Sequence, residues 1–107
     1  MGIPTEKFPI IWEAIRRWMN KLSLTAESLA FYANERGYTA EVIRRGIKYG
    51  TEWITSDFLH SCVELTGRRS SRQRNIEEDS AYDLTDEECV DLLTSILRDE
   101  QQGRLLD

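Results

Sequence analysis

The sequence has little of what most functional classes require: among 107 residues there are two cysteines, two prolines, six glycines and one histidine. Cys62 and Cys89 each fall in an apolar helical pattern, so they read as small buried hydrophobes rather than a disulfide framework. Zinc would need His60, both cysteines and a fourth ligand, without the paired spacing that such sites use, and no metal is expected. His60-Ser61-Cys62 on a helix sends neighbouring side chains about 100° apart, so they do not converge on a reacting atom. With no Gly-rich phosphate loop and no dinucleotide fingerprint, neither a cofactor nor an enzymatic activity is expected. No apolar run approaches the roughly 18 residues that cross a bilayer. The chain also opens without a basic-then-apolar leader or a myristoylation pattern, Glu6 standing where Ser or Thr would be needed. These absences lead to the expectation of a soluble, cytoplasmic protein without membrane contact.

What is present is a modest core and an uneven charge distribution. Leu, Ile, Val and Phe supply 26 residues, just above the fraction of about 20% below which a charged chain stays disordered. At this length one core is expected, with marginal stability to which dimerisation can add. Residues 1–74 carry 12 Lys and Arg against 8 Asp and Glu, whereas residues 75–107 carry 2 against 11. A basic body with an acidic tail fits contact between the first part and a polyanion, the alternative being an ordinary solvated surface.

Apolar residues recur at helical spacing along most of the chain. Ile11, Ala14, Ile15, Trp18 and Leu22 form one stripe and predict a first helix over Phe8–Leu22, with Trp18 in the core and Trp12, one step off the stripe, partly exposed. Thr25 caps a second short helix, Ala26 to about Asn34, with Leu29, Ala30 and Ala33 inward. The turn Asn34-Glu35-Arg36-Gly37 leads to a third helix, about Tyr38 to Arg45, with Gly46 and Gly50 marking its exit. Ile54, Phe58, Cys62 and Leu65 predict a fourth helix, about Thr55 to Thr66, ended by Gly67. Arg68 to Asp83 has no periodicity and reads as a charged linker. Thr85-Asp86-Glu87-Glu88 is a capping box that starts a fifth helix, Asp86 to about Arg98, striped by Cys89, Leu92, Leu93, Ile96 and Leu97. That stripe is expected either to fold back on the body or to form a dimer seam.

Two short helices joined by a tight turn in a basic, all-helical segment have the geometry of a helix-turn-helix. The run Leu24-Thr25-Ala26-Glu27-Ser28-Leu29-Ala30, then Ala33, then Ile43-Arg44-Arg45-Gly46, resembles the Cro/phage-repressor type of helix-turn-helix protein. With the preceding helix and Phe58, Leu59 and Leu65 before Gly67, the resemblance covers about 60 residues. It implies an all-α, repressor-like fold of four to five helices with a C-terminal amphipathic helix: a helix-turn-helix domain over 1–67, a charged linker over 68–84, and an acidic helix and tail over 85–107. It further implies a transcriptional regulator that binds double-stranded DNA, as a homodimer on twofold sites, with helix three in the major groove.

Against that family pattern, Ala26 replaces a Gln that commonly anchors a phosphate. The base-reading positions align with Gly37, Tyr38 and Val42, none of which offers bidentate base pairing. The expected DNA-binding set is therefore Tyr38 and Thr39 through their hydroxyls, Val42 and Tyr38 against thymine methyls, and Arg36, Arg44, Arg45 and Lys48 on phosphates. Glu41 in their midst suits a merely solvated face. Tyr49 and Trp53 are expected to pack at the edge of the core rather than to stack on bases. Arg68, Arg69, Arg72 and Arg74 fit either a phosphate-following arm or a solubilising linker. The rival function is a protein-interaction module, antitoxin-like or adaptor, on the same fold without base reading, its partner engaged through the C-terminal helix.

Overall fold

A 3-10 turn over Thr5–Lys7 leads into α1 (Phe8–Leu22), in which Pro9 sits in the first turn, where its missing N–H breaks no helical bond. Ser23 then takes a left-handed conformation, φ 58°. The Ser23 and Leu24 amides donate to the carbonyls of Asn20 and Met19, closing the helix with a 5→2 and a 6→1 bond. This computed structural model describes residues 3–33, 36–67 and 84–106, with side chains through residue 100. Asn34, the four linker arginines and the linker itself up to residue 83 lie outside the described residues.

Each following helix starts at a threonine. Thr25 Oγ1 accepts from the Ser28 amide at 3.0 Å and opens α2 (Ala26–Ala33). Thr39 and Thr55 do the same for α3 (Ala40–Tyr49) and α4 (Ser56–Thr66), accepting from Val42 and Phe58 amides. At α5 (Asp86–Leu106) the capping box forms: the Thr85 amide donates to Glu88 Oε1 at 3.0 Å, and the Glu88 amide to Thr85 Oγ1 at 3.1 Å. All regular structure among the described residues is helical, as the periodicity implies.

Three boundaries differ from expectation. Thr39 caps α3, so Tyr38 stands before the helix rather than in it. Gly46 lies inside α3, which runs on to Tyr49 and stops at Gly50, φ 73°. Helix α5 extends to Leu106 rather than ending near Arg98. Leu84, assigned to the linker by its sequence, is buried in the core.

Helix α1 is the centre of the core because α3 and α5 pack on two of its sides. Its buried arc is therefore wider than one stripe, and Trp12, expected to be partly exposed, is only 1% exposed. The Trp12 ring lies over Gly46 of α3, where a Cβ would stand 2.4 Å from it, and Nε1–H donates to the Glu52 carbonyl at 2.9 Å. On the other side α5 folds back onto α1 and α4, burying Cys89, Leu93 and Ile96. Trp18 Nε1–H donates to the Leu93 carbonyl at 2.8 Å, and Arg17 pairs with Glu100. At the start of α5, Asp86 Oδ1 accepts from Ser56 Oγ at 2.6 Å and lies 3.4 Å from His60 Nε2. Of the two expected uses of the α5 stripe, the chain adopts the intrachain one.

Candidate nucleic-acid interface

The α2-turn-α3 unit is set by Gly37, whose φ of 91° is a conformation that side chains with a Cβ rarely adopt. Helix α3 then presents Glu41, Arg44, Arg45 and Lys48 to solvent at i, i+3, i+4 and i+7, opposite Ile43 and Gly46, which face the core. Three cations and one carboxylate thus share one stripe. Arg36 is exposed in the turn before the helix and makes no ion pair among the described residues.

Two of the three cations on the stripe already have partners. Arg44 pairs with Glu27 of α2, and Arg45 Nε lies 3.1 Å from Glu52. Backbone hydrogen bonding at the helix start, then the Arg44 guanidinium, hold the Glu27 carboxyl below its usual range. Glu27 is therefore ionised at neutral pH, and its hold on Arg44 is lost only as pH falls through that lowered value. Lys48 Nζ stands 5.3 Å above the Tyr49 ring, a cation–π arrangement.

Among the residues expected to read bases, Tyr38 is misassigned. It is 3% exposed, stacked on Phe58 with centroids 3.9 Å apart and planes 6° from parallel. Its hydroxyl donates to the Trp53 carbonyl at 2.7 Å and accepts from the Thr55 amide at 3.0 Å, so neither its ring nor its O–H is available to DNA. A signal for this was in the sequence. With Thr39 as N-cap, Tyr38 occupies the preceding position and Ile43 the fourth helical one, the pair that forms a hydrophobic staple, and both are buried. Thr39 remains exposed, its oxygen accepting from the helix and its proton free to donate. Val42 is half-buried against the core, which leaves little of it for a thymine methyl.

Tyr49, expected to pack, is 62% exposed, whereas Trp53 packs on Tyr38 at the edge of the core as expected, with 45% of its surface left in solvent. Two further aromatics stand out on α2: Phe31 and Tyr32 are 79% and 58% exposed and lie edge to face, 5.8 Å apart. Their periodicity could have revealed them, since both fall outside the Ala26, Leu29, Ala33 stripe. The partners Glu27 and Glu52 carried no comparable signal, because pairing across elements depends on how those elements pack.

Among the described residues no other constellation gathers reactive groups. Burial pushes the Cys62 thiol well up. Burial, with Asp86 and Glu88 nearby, pushes Cys89 up to about 12, so both stay protonated at neutral pH. Among the described residues no three His, Cys, Asp or Glu side chains converge to hold a metal, and no helix is long and apolar enough to cross a membrane. A surface hollow of about 630 Å³ between the N-terminal turn and α5 is edged by Asp86, Glu87 and Asp91 opposite Lys7, a charge pattern unsuited to phosphate. No protein-family model, curated protein or solved structure matches the chain.

Proposed function

We propose that this chain is a cytoplasmic, DNA-binding transcriptional regulator that places α3 in the major groove as a homodimer and holds the duplex chiefly by its phosphates. The α3 stripe carries the proposal: Arg44, Arg45 and Lys48 face solvent together, with Arg36 beside them in the turn. Their pairing with Glu27 and Glu52 does not oppose it, because exposed ion pairs contribute only about 0–1 kcal/mol and yield to a phosphate. The likeness of Leu24 to Ala30 and of Ile43 to Gly46 to the Cro/phage-repressor pattern supports the same placement. With Tyr38 in the core and Val42 half-buried, base reading falls to the Thr39 hydroxyl and to the shape of the duplex.

Each phosphate contact steepens the fall of log K with log salt by about 0.9, so four cations give a slope near −3.6. Arg45→Ala is expected to shallow that slope by about one while weakening binding to all sequences alike. Fluorescence anisotropy across a salt series measures both. Equal affinity of the variant and the native chain at every salt concentration would remove α3 from the interface.

A second reading, a protein-interaction module, is favoured by the exposed pair Phe31 and Tyr32 on α2. Selection from a random duplex pool separates the two. The DNA reading expects an enriched, AT-leaning motif with relaxed positions, and a pool that stays random supports the interaction module.

A further inference from the structure

The three tryptophans are treated differently by the fold. Trp12 and Trp18 are buried, and each indole N–H donates to a backbone carbonyl, of Glu52 and of Leu93. Trp53 is half-exposed, and its indole N–H meets no acceptor among the described residues, although its position is closely defined. Tyr38 holds it from one side, with ring centroids 4.4 Å apart and the Tyr38 hydroxyl bonded to the Trp53 carbonyl. Gly37 also borders it: a Cβ there would stand 3.2 Å from Trp53 Cη2, a tight contact, so the glycine leaves the indole room against the turn. Next to Gly37 in the chain is the exposed Arg36, and next to Trp53 is Glu52, the partner of Arg45 on the α3 stripe.

From this arrangement we infer that Trp53 is a nucleic-acid contact, its indole N–H donating to a backbone phosphate beside the groove that α3 occupies. The inference rests on the DNA reading above. An indole donor packed on a buried tyrosine beside a turn loses little freedom on binding, and a hydrogen bond to a charged acceptor is stronger than one between neutral groups. Being neutral, the donor adds affinity without adding to the salt slope.

Two measurements on the full chain with a selected duplex test it. Because Trp12 and Trp18 are buried, acrylamide quenching of tryptophan fluorescence reports on Trp53, and saturating duplex is expected to reduce it at least about twofold. Trp53→Phe keeps an aromatic ring against Tyr38 and removes the N–H. It is expected to weaken binding about fivefold, by the size of one such bond, at an unchanged salt slope. Protection from quenching together with that loss supports the contact. If the duplex binds but quenching is unchanged and Trp53→Phe binds like the native chain, the contact is overturned and the DNA reading stands. If no duplex binds at moderate salt, both are overturned. The quenching arm needs no variant, so it decides even where Trp53→Phe lowers the melting temperature.

Discussion

Gly46→Ala is expected to destabilise the protein by about 3 kcal/mol, although glycine to alanine inside a helix ordinarily stabilises by up to about 1 kcal/mol. The reversal follows from Trp12: an added Cβ would lie 2.4 Å from Cε2 and Cζ2 of a ring that is packed against Phe58 and tied to the Glu52 carbonyl. The ring cannot tilt away without breaking that hydrogen bond, so α3 must shift outward and lose the packing of Ile43. In a domain of this size the loss corresponds to roughly 15 °C in melting temperature. Calorimetry measures it. Trp12→Leu in the Gly46→Ala background is expected to recover part of the loss, since the two effects are coupled through one contact. An alanine variant that melts at or above the native temperature would show that α1 and α3 do not meet at this glycine.

Leu93→Asp is expected to unfold the whole chain, not merely to release α5. Leu93 is buried beneath Trp18, whose N–H bonds to the Leu93 carbonyl, and α5 covers α1 and α4 together. Losing a buried leucine removes about 2–5 kcal/mol, and a carboxylate placed there adds several more, against a total stability of about 5–15 kcal/mol. Circular dichroism is expected to show loss of most helix and of the cooperative melt. Leu93→Ala, losing about 3 kcal/mol, is expected to stay folded with its mass unchanged in sedimentation. A Leu93→Asp variant that kept α1–α4 folded would make α5 a detachable appendage. A change of mass without a change of melting temperature would make it a dimer seam.

The largest disagreements between the expected and the observed interface came from aromatic residues, and they have one cause. Periodicity reports which side of a helix is apolar, but not how many neighbours that side has. Trp12 lies one step off the α1 stripe and is buried because α3 and α5 flank α1 on two sides. Tyr38 lies in a turn that carries no periodicity, and it was drawn inward by Phe58 and by the two backbone groups that its hydroxyl satisfies. The α3 arginines, by contrast, were legible from spacing alone, since an i, i+3, i+4, i+7 set opposite Ile43 and Gly46 has nowhere to go but solvent.

The existence of five helices, the caps at Thr25 and Thr85, and most of the buried stripes of α1, α2, α4 and α5 could be read from the sequence alone. These depend on contacts within four or five residues, and so on local chemistry that the chain carries wherever it lies. Tertiary packing decided the rest: that Gly46 is a contact point and not a helix end, that α5 covers its own chain, and that Arg44 and Arg45 face Glu27 and Glu52. Each of these joins residues separated by several to more than 70 positions. No local preference records such a pairing, because its energy exists only once two helices have been brought together.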